Sequence, residues 1–330
     1  MEREQPTVSI IVPNYNYACY LEVRLKSILS QTFQNFELIL LDDASTDGSV
    51  AILEKYKNNP HVSHLIVNKE NTGSPFCQWM KGIQLARGKW IWIAEADNSC
   101  EPDFLETCMR QVTEAGNVAV CMTGSSFIDS NGEVLRMEAD YWSKGKQSGS
   151  TCYFNGQRYV EHKLYWHSCI MNASSALFRR EYALRLSDLP FLSMRYSGDW
   201  MFWIGMAMQG DVCEIRKPLN HFRQHTSVSV EGIRTGKRLR EDIDVIFYVE
   251  KLFPNISRYK KQLRRGMIYR KIRKVKSEGM KTELTAYLRL KMGGSKRDFY
   301  ILRMNQCLKS VCPFLLTMNK DRDSLACRSL

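Results

Sequence analysis

Eleven cysteines run from Cys19 to Cys327 without one Cys-x-x-Cys pair among them, so neither a zinc ribbon nor a thioredoxin-type redox motif is encoded. Only Cys307 and Cys312 lie close together, with no second pair to complete a metal site. Reduced thiols are expected, several of them, such as Cys108 and Cys121, serving as small core residues. No apolar run approaches the roughly 18 residues of a membrane span. No basic-then-apolar leader pattern opens the chain, so the expectation is a cytoplasmic protein. Internal repeats and low-complexity tracts are also missing, which excludes solenoids and disordered linkers.

Net positive charge is scarce in most of the chain. Residues 231–330 carry 25 Lys and Arg against 10 Asp and Glu, a net of +15, which leaves the first 230 residues at −3 of the total of +12. The basic end has ten Lys and Arg within 258–276, interleaved with Leu263, Met267, Ile268, Ile272 and Val275 in an apolar stripe. Aromatics at regular spacing and groove-reading motifs are absent there, which argues against nucleic acid as a partner. Two readings stay open for this basic amphipathic region: contact with an anionic membrane surface, or packing on the rest of the protein with a solvated basic rim.

What is present, at 44% hydrophobic content over 330 residues, is a regular alternation of strand and helix signals. Val8–Val12 reads as a strand ended by Pro13-Asn14-Tyr15-Asn16, with a helix over Leu21–Gln31. Phe36–Leu41 is a second strand, followed by the capping cluster Asp42-Asp43-Ala44-Ser45-Thr46-Asp47-Gly48 and a helix to Tyr56. His64–Val67, a helix from Pro75 to Ala86 and the Trp90–Ile93 strand continue the series. Repeated βα units imply a parallel sheet with right-handed crossovers. A helix from Pro102 to Ala115, a buried strand over Val118–Met122, a hairpin around Asn131-Gly132, a strand over Ser175–Phe178 and a helix from Asp199 to Met208 follow. Residues 1–230 are thus expected to form the α/β domain and 231–330 a basic helical region.

The chemistry-bearing residues converge on one edge. In a parallel sheet the loops after Val12, Leu41 and Ile93 open on the same face, where open α/β sheets bind ligands. Glu95 and Asp97 end the Trp90 strand, and two carboxylates there suit Mg²⁺ or Mn²⁺, or cap the next helix as a polar turn. Asp43 at the second strand end can accept from a base or ribose, or cap a turn. Asp199 at a glycine-preceded helix start is either an N-cap or a general base. His221-Phe222-Arg223-Gln224-His225 groups two imidazoles and a guanidinium, able to add a metal ligand and a phosphate clamp or to lie on a surface loop.

Taken in order, Thr7 to Asn16, Asp42 to Gly48, Asn71-Thr72-Gly73 with Gln78-Trp79-Met80-Lys81-Gly82, Ala86 to Trp90, Glu95-Ala96-Asp97, Asn172 to Arg180, Gly198-Asp199-Trp200 and Arg223-Gln224-His225 resemble a family 2 glycosyltransferase with the GT-A fold. The wording around Gln78 and Glu95 is similar to bacterial enzymes that build surface polysaccharides. The resemblance implies a Rossmann-like, mostly parallel sheet flanked by helices, with a C-terminal helical extension. It implies that Pro13, Tyr15, Asp43, Gln78, Lys81, Glu95 and Asp97 bind a nucleotide sugar, with uracil the usual base. It further implies that Asp97 and His225 hold Mn²⁺ or Mg²⁺, and that Asp199 is the base of an inverting transfer to a glycan or lipid-linked glycan. A catalytically inactive nucleotide-sugar-binding protein is the alternative. The sequence departs from the family pattern in having Glu95 where Asp is usual and Asn98 where Asp is frequent. It has no Gln-x-x-Arg-Trp, so a single transfer rather than processive synthesis is implied.

Overall fold

The computed structural model describes residues 5–138, 149–224, 232 and 235–311. Ten strands form one sheet: β1 Val8–Asn14, β2 Phe36–Asp42, β3 Val62–Val67, β4 Trp90–Ile93, β5 Ser99–Cys100, β6 Val118–Ile128, β7 Val134–Glu138, β8 Thr151–Phe154, β9 Ala176–Arg179 and β10 Asp211–Arg223. The order is β3-β2-β1-β4-β9-β6-β10-β5, with β7 paired to β6 and β8 to β10. β1 to β4 are mutually parallel, as the βα repeat predicts. β9 then enters antiparallel between β4 and β6, so the second half of the sheet is mixed.

Side-chain alternation divides the core into two layers. Ile11, Ile39, Leu41, Ile91 and Ile93 face one side, while Val8, Ile10, Val12, Leu38, Leu40, Trp90 and Trp92 face the other. Helices α1 (Ala18–Leu29), α2 (Ser49–Tyr56) and α4 (Phe104–Glu114) cover the second face through Leu21, Leu25, Leu53 and Phe104. Helix α3 (Pro75–Leu85) covers the first, and Gly82 on it is needed because a Cβ would stand 2.5 Å from Ile11. The short helices α5 (Gly156–Tyr159) and α6 (Arg180–Leu184) and the apolar α7 (Gly198–Ala207) complete that layer.

The basic C-terminal helices are α8 Lys237–Leu252, α9 Arg258–Ile272, α10 Glu278–Met292 and α11 Lys296–Val311. Their apolar residues Ile243, Ile246, Leu263, Ile268, Leu288 and Leu302 belong to the same core layer as Trp200, Met201 and Trp203 of α7. The apolar stripe through Leu263, Met267, Ile268, Ile272 and Val275 is therefore turned inward and buried. Among the described residues, eight cysteines are free thiols, whereas Cys152 is disulfide-bonded, against the expectation of reduced thiols.

Candidate active site

The loop after β1 is pinned to the loop after β2. Asn14 Nδ2 donates to Asp42 Oδ2 at 2.7 Å and to Ser45 Oγ at 3.2 Å, and Asp42 in turn accepts from the Ser45 amide and hydroxyl at 2.8 and 2.7 Å. Thr46 N donates to Asn16 Oδ1 at 2.8 Å. Asn16 and Ala44 are held at φ of 57° and 63°, and such positive φ at non-glycine residues persists only where surrounding bonds over-determine it. Asp42 is thus a loop-building residue. Tyr15 is left 45% exposed at the tip, available to a ligand.

Asp43 points to the other side and organises the segment before α3. Its carboxylate accepts from Asn68 Nδ2 at 2.6 Å, Gln78 Nε2 at 2.7 Å, Thr72 Oγ1 at 2.8 Å and the Thr72 amide at 3.1 Å. Lys81 Nζ donates to Asn68 Oδ1 at 2.6 Å. Gln78 and Lys81, one turn apart on α3, thereby join Asp43 in one network that fixes residues 68–78 beside the sheet edge.

The β4 end is held by residues far away in sequence. Ser174 Oγ accepts from the Glu95 amide at 3.0 Å, and Ser174 O accepts from Trp92 Nε1 at 2.8 Å. Asn172 Nδ2 donates to Glu95 Oε2 at 2.9 Å. Asn98 bridges: its amide nitrogen reaches Glu95 Oε2 and Ser174 Oγ, each at 3.4 Å, and its oxygen accepts the Arg223 amide at 2.9 Å. An aspartate at 98 could not donate those bonds. Arg223 Nε donates to Asp97 O at 2.8 Å, Nη1 donates to Asp129 O and Ser130 O at 2.7 and 3.0 Å, and its Cζ lies 4.3 Å from the Tyr20 ring centroid. It is a strap across the turn, held through Nε and Nη1.

Asp199 arrives from the opposite layer at the start of α7. Gly198 before it is dictated by packing, since a Cβ there would meet Phe76 at 2.4 Å. The preceding turn is gripped by α8: Glu241 accepts the amides of Arg195, Tyr196 and Ser197 at 2.9, 2.8 and 2.7 Å, and Asp242 accepts from Ser197 Oγ at 2.8 Å. Asp199 Oδ1 is buried without a hydrogen-bond partner among the described residues. Burial raises the Asp199 carboxyl above its ordinary value, countered by Arg238. Glu95 is pushed up to about 8, first by burial and then by the charges of Asp97 and Asp199, with Arg24 and the Asn172 hydrogen bond opposing. The charges of Asp97 and Asp199 both reach Glu95, although 102 positions separate those two aspartates in sequence.

The chemistry of this donor set is that of hard oxygens, which fits Mg²⁺ or Mn²⁺. Among the described residues no group of three His, Cys, Asp or Glu is placed to hold a metal. His225 lies outside the described residues.

A family model described as Glycosyl transferase family 2 matches residues 9–186. The chain belongs to that family. The matched stretch carries Pro13, Tyr15, Asp43, Gln78, Lys81, Glu95 and Asp97, so most of the candidate site of this family 2 glycosyltransferase lies within it. The EpsH protein of Bacillus subtilis strain 168 is 29% identical over 244 residues, 72% of this chain and 66% of that one. Glycosyltransferase GlyG of Streptococcus pneumoniae serotype 4 is 36% identical over 107 residues, 32% of this chain and 35% of that one. The chain thus spans two thirds or less of these curated relatives. Among solved structures, S. aureus TarS 1-349 in complex with UDP-GlcNAc superposes with a TM-score of 0.66 at 15% identity, covering 96% of this chain and 87% of that one. Mannosyltransferase PcManGT from Pyrobaculum calidifontis, in complex with GDP-Man and Mn²⁺, gives 0.54 at 17% identity over 97% and 85%. The fold of this family 2 glycosyltransferase is accordingly GT-A, with C-terminal helices added.

Proposed function

We propose that this protein is an inverting glycosyltransferase that moves a sugar from a nucleotide-sugar donor, UDP-linked, to a glycan or lipid-linked glycan in surface polysaccharide synthesis. The observation that carries the reading is the buried, unpartnered Asp199 Oδ1 in the same electrostatic site as Glu95 at the sheet's C-terminal edge. An orphaned carboxylate oxygen costs stability unless a ligand uses it. A carboxyl raised by burial is also a better general base, because its pKa moves toward working pH.

In this reading Pro13 and Tyr15 line the nucleotide pocket, and Asp43 faces the base, where a uracil N–H competes with Thr72 for Oδ2. Gln78 and Lys81 hold the 68–78 segment against the nucleotide. Asp97, with His225, would hold Mn²⁺ or Mg²⁺, and Glu95 sits beside it near the ribose. When bound, the cation neutralises charge developing on the leaving diphosphate. Asp199 removes the acceptor hydroxyl's proton as that oxygen attacks the anomeric carbon from the face opposite the diphosphate, and the single displacement inverts the configuration. The donor class is supported by the complexes of TarS with UDP-GlcNAc and of PcManGT with GDP-Man.

The exposed rim of α8 to α11 is part of the same proposal: with its apolar stripe packed inward, its lysines and arginines are offered to an anionic membrane surface that carries the acceptor, and no described helix is long and apolar enough to cross that membrane. The test is incubation with a panel of nucleotide sugars and Mn²⁺, with and without chelator, quantifying released nucleoside diphosphate. Chelator-sensitive release from one donor is expected. Absence of both turnover and UDP binding would overturn the assignment. Sedimentation with anionic but not neutral vesicles tests the membrane contact separately.

A further inference from the structure

Helix α1 buries Leu21, Arg24, Leu25 and Ile28 on its inward face. Three of these are the apolar residues that an amphipathic helix over a sheet requires. The fourth is a guanidinium with no exposed surface. Arg24 Nε, Nη1 and Nη2 are all buried and donate to no oxygen or nitrogen; the weakly accepting Cys100 thiol lies against them, and Cζ stands 4.7 Å from the centroid of the Trp92 ring. A cation–π contact of this kind recovers only part of what burying an ionised group with unused donors costs. An apolar residue would pack here at no such penalty, so the charge calls for a use.

Its surroundings supply one. Trp92 belongs to β4, the strand that runs straight into Glu95 and Asp97, and Cys100 follows in β5. Burial lowers the Arg24 pKa, while Cys100, Asp97 and Glu95 draw it back up. The guanidinium, which keeps its proton in proteins, lies within Coulombic reach of both strand-end acids from beneath the sheet edge. It cannot touch a ligand, being fully covered.

We propose that Arg24 is the resident counter-charge of the strand-end site: fixed under Trp92, it offsets Glu95 and Asp97, weakening the hold on a bare divalent cation and favouring an anionic diphosphate. Arg24 is thus a positioning residue acting through charge. The inference rests on the donor-site reading above. It gives opposite signs for two ligands, which a merely structural arginine would not. Removing one positive charge that acts through an effective dielectric near 20 tightens a bare cation and weakens a bare anion, each by about tenfold.

The experiment uses the full chain. Binding of Mn²⁺ alone is followed by loss of its free electron paramagnetic resonance signal, binding of UDP in chelator by calorimetry, and folding by thermal melting. Arg24→Met is expected to bind Mn²⁺ about tenfold tighter and UDP about tenfold weaker, with a lowered melting temperature that still shows a folded protein, since removing one partner leaves the strand-end acids uncompensated. Arg24→Lys, which keeps the charge, is expected to retain both affinities. Should Arg24→Met fail to fold, Arg24→Gln against Arg24→Lys makes the same comparison. Unchanged affinities in the uncharged variant, or both ligands weakened together, overturn the inference while leaving the donor site intact. An unsubstituted protein that binds neither UDP nor Mn²⁺ overturns the donor-site reading itself, and this inference with it.

Discussion

Glu241 offers the sharpest test of how the C-terminal helices serve the site. Its carboxylate accepts three consecutive amides, of Arg195, Tyr196 and Ser197, at 2.9, 2.8 and 2.7 Å, and so sets the turn that launches α7 and Asp199. Hydrogen bonds to an ionised acceptor contribute about 1.5–3 kcal/mol each. The outermost of the three is exposed and water can replace it, so Glu241→Ala is expected to destabilise by about 3–5 kcal/mol through the two inner amides. Glu241→Gln keeps one acceptor oxygen without charge, and about half that loss is expected. Displacing the α7 start moves Asp199, and a misplacement near 1 Å reduces turnover by about 100-fold. Donor binding should change little, because the hydrogen bonds that build the 14–16, 43–45 and 68–78 segments come from β1, β2 and α3 rather than α8. Urea unfolding gives the stability term, and steady-state turnover with calorimetric UDP binding gives the split between catalysis and affinity. A Glu241→Ala protein with an unshifted unfolding midpoint and normal turnover would refute the reasoning.

Other perturbations follow from the same geometry. Asp43→Asn replaces one accepting oxygen with an NH2 donor facing donors of Asn68 and Gln78 or of Thr72, so a loss of about 2 kcal/mol in urea unfolding and weaker UDP binding by calorimetry are expected. Gly82→Ala forces Ile11 aside from a 2.5 Å contact and should cost about 1–3 kcal/mol in the same unfolding assay. His167 is held down to about 3, mainly by burial and then by Arg264 and Lys271, from an ordinary 6.5. The unfolded chain therefore binds more protons between those values, and the associated stability is full above pH 6.5 and lost as pH falls toward 3. Unfolding free energies at pH 7 and 5 should differ less in His167→Gln than in the unsubstituted protein, by up to about 2 kcal/mol; an identical pH dependence would remove the assignment.

The parallel half of the sheet was legible because β1, β2 and β4 are short β-branched or aromatic runs, each stopped by polar residues. Asp43, Gln78 and Lys81 were legible as separate motif residues, while their joining through Asn68 needed the fold. β10 went unread: Glu214 looks solvent-facing in sequence, yet it is buried and paired with Lys163 at 2.7 Å and Tyr159 at 2.6 Å, and Pro218 sits at a register shift. The strand over Val118–Met122 was expected to be short, whereas β6 runs on to Ile128 because β7 and β10 flank its polar half. Arg24 reads in sequence as an ordinary outward charge on α1. Asn172, Ser174 and Arg223 stood within recognisable segments, but their bonds to the β4 turn depend on contacts across roughly 75 to 126 positions that no local pattern encodes. The basic helices were equally ambiguous until α8 and α9 were seen to share the core of α7.

The central claim, that the strand-end acids and Asp199 together transfer a glycosyl group, is tested most directly by Asp199→Asn. Binding of the productive nucleotide sugar should persist, while turnover falls by about 10²–10⁴-fold, the range for loss of a positioned general base. Near-normal turnover in that variant would contradict the account.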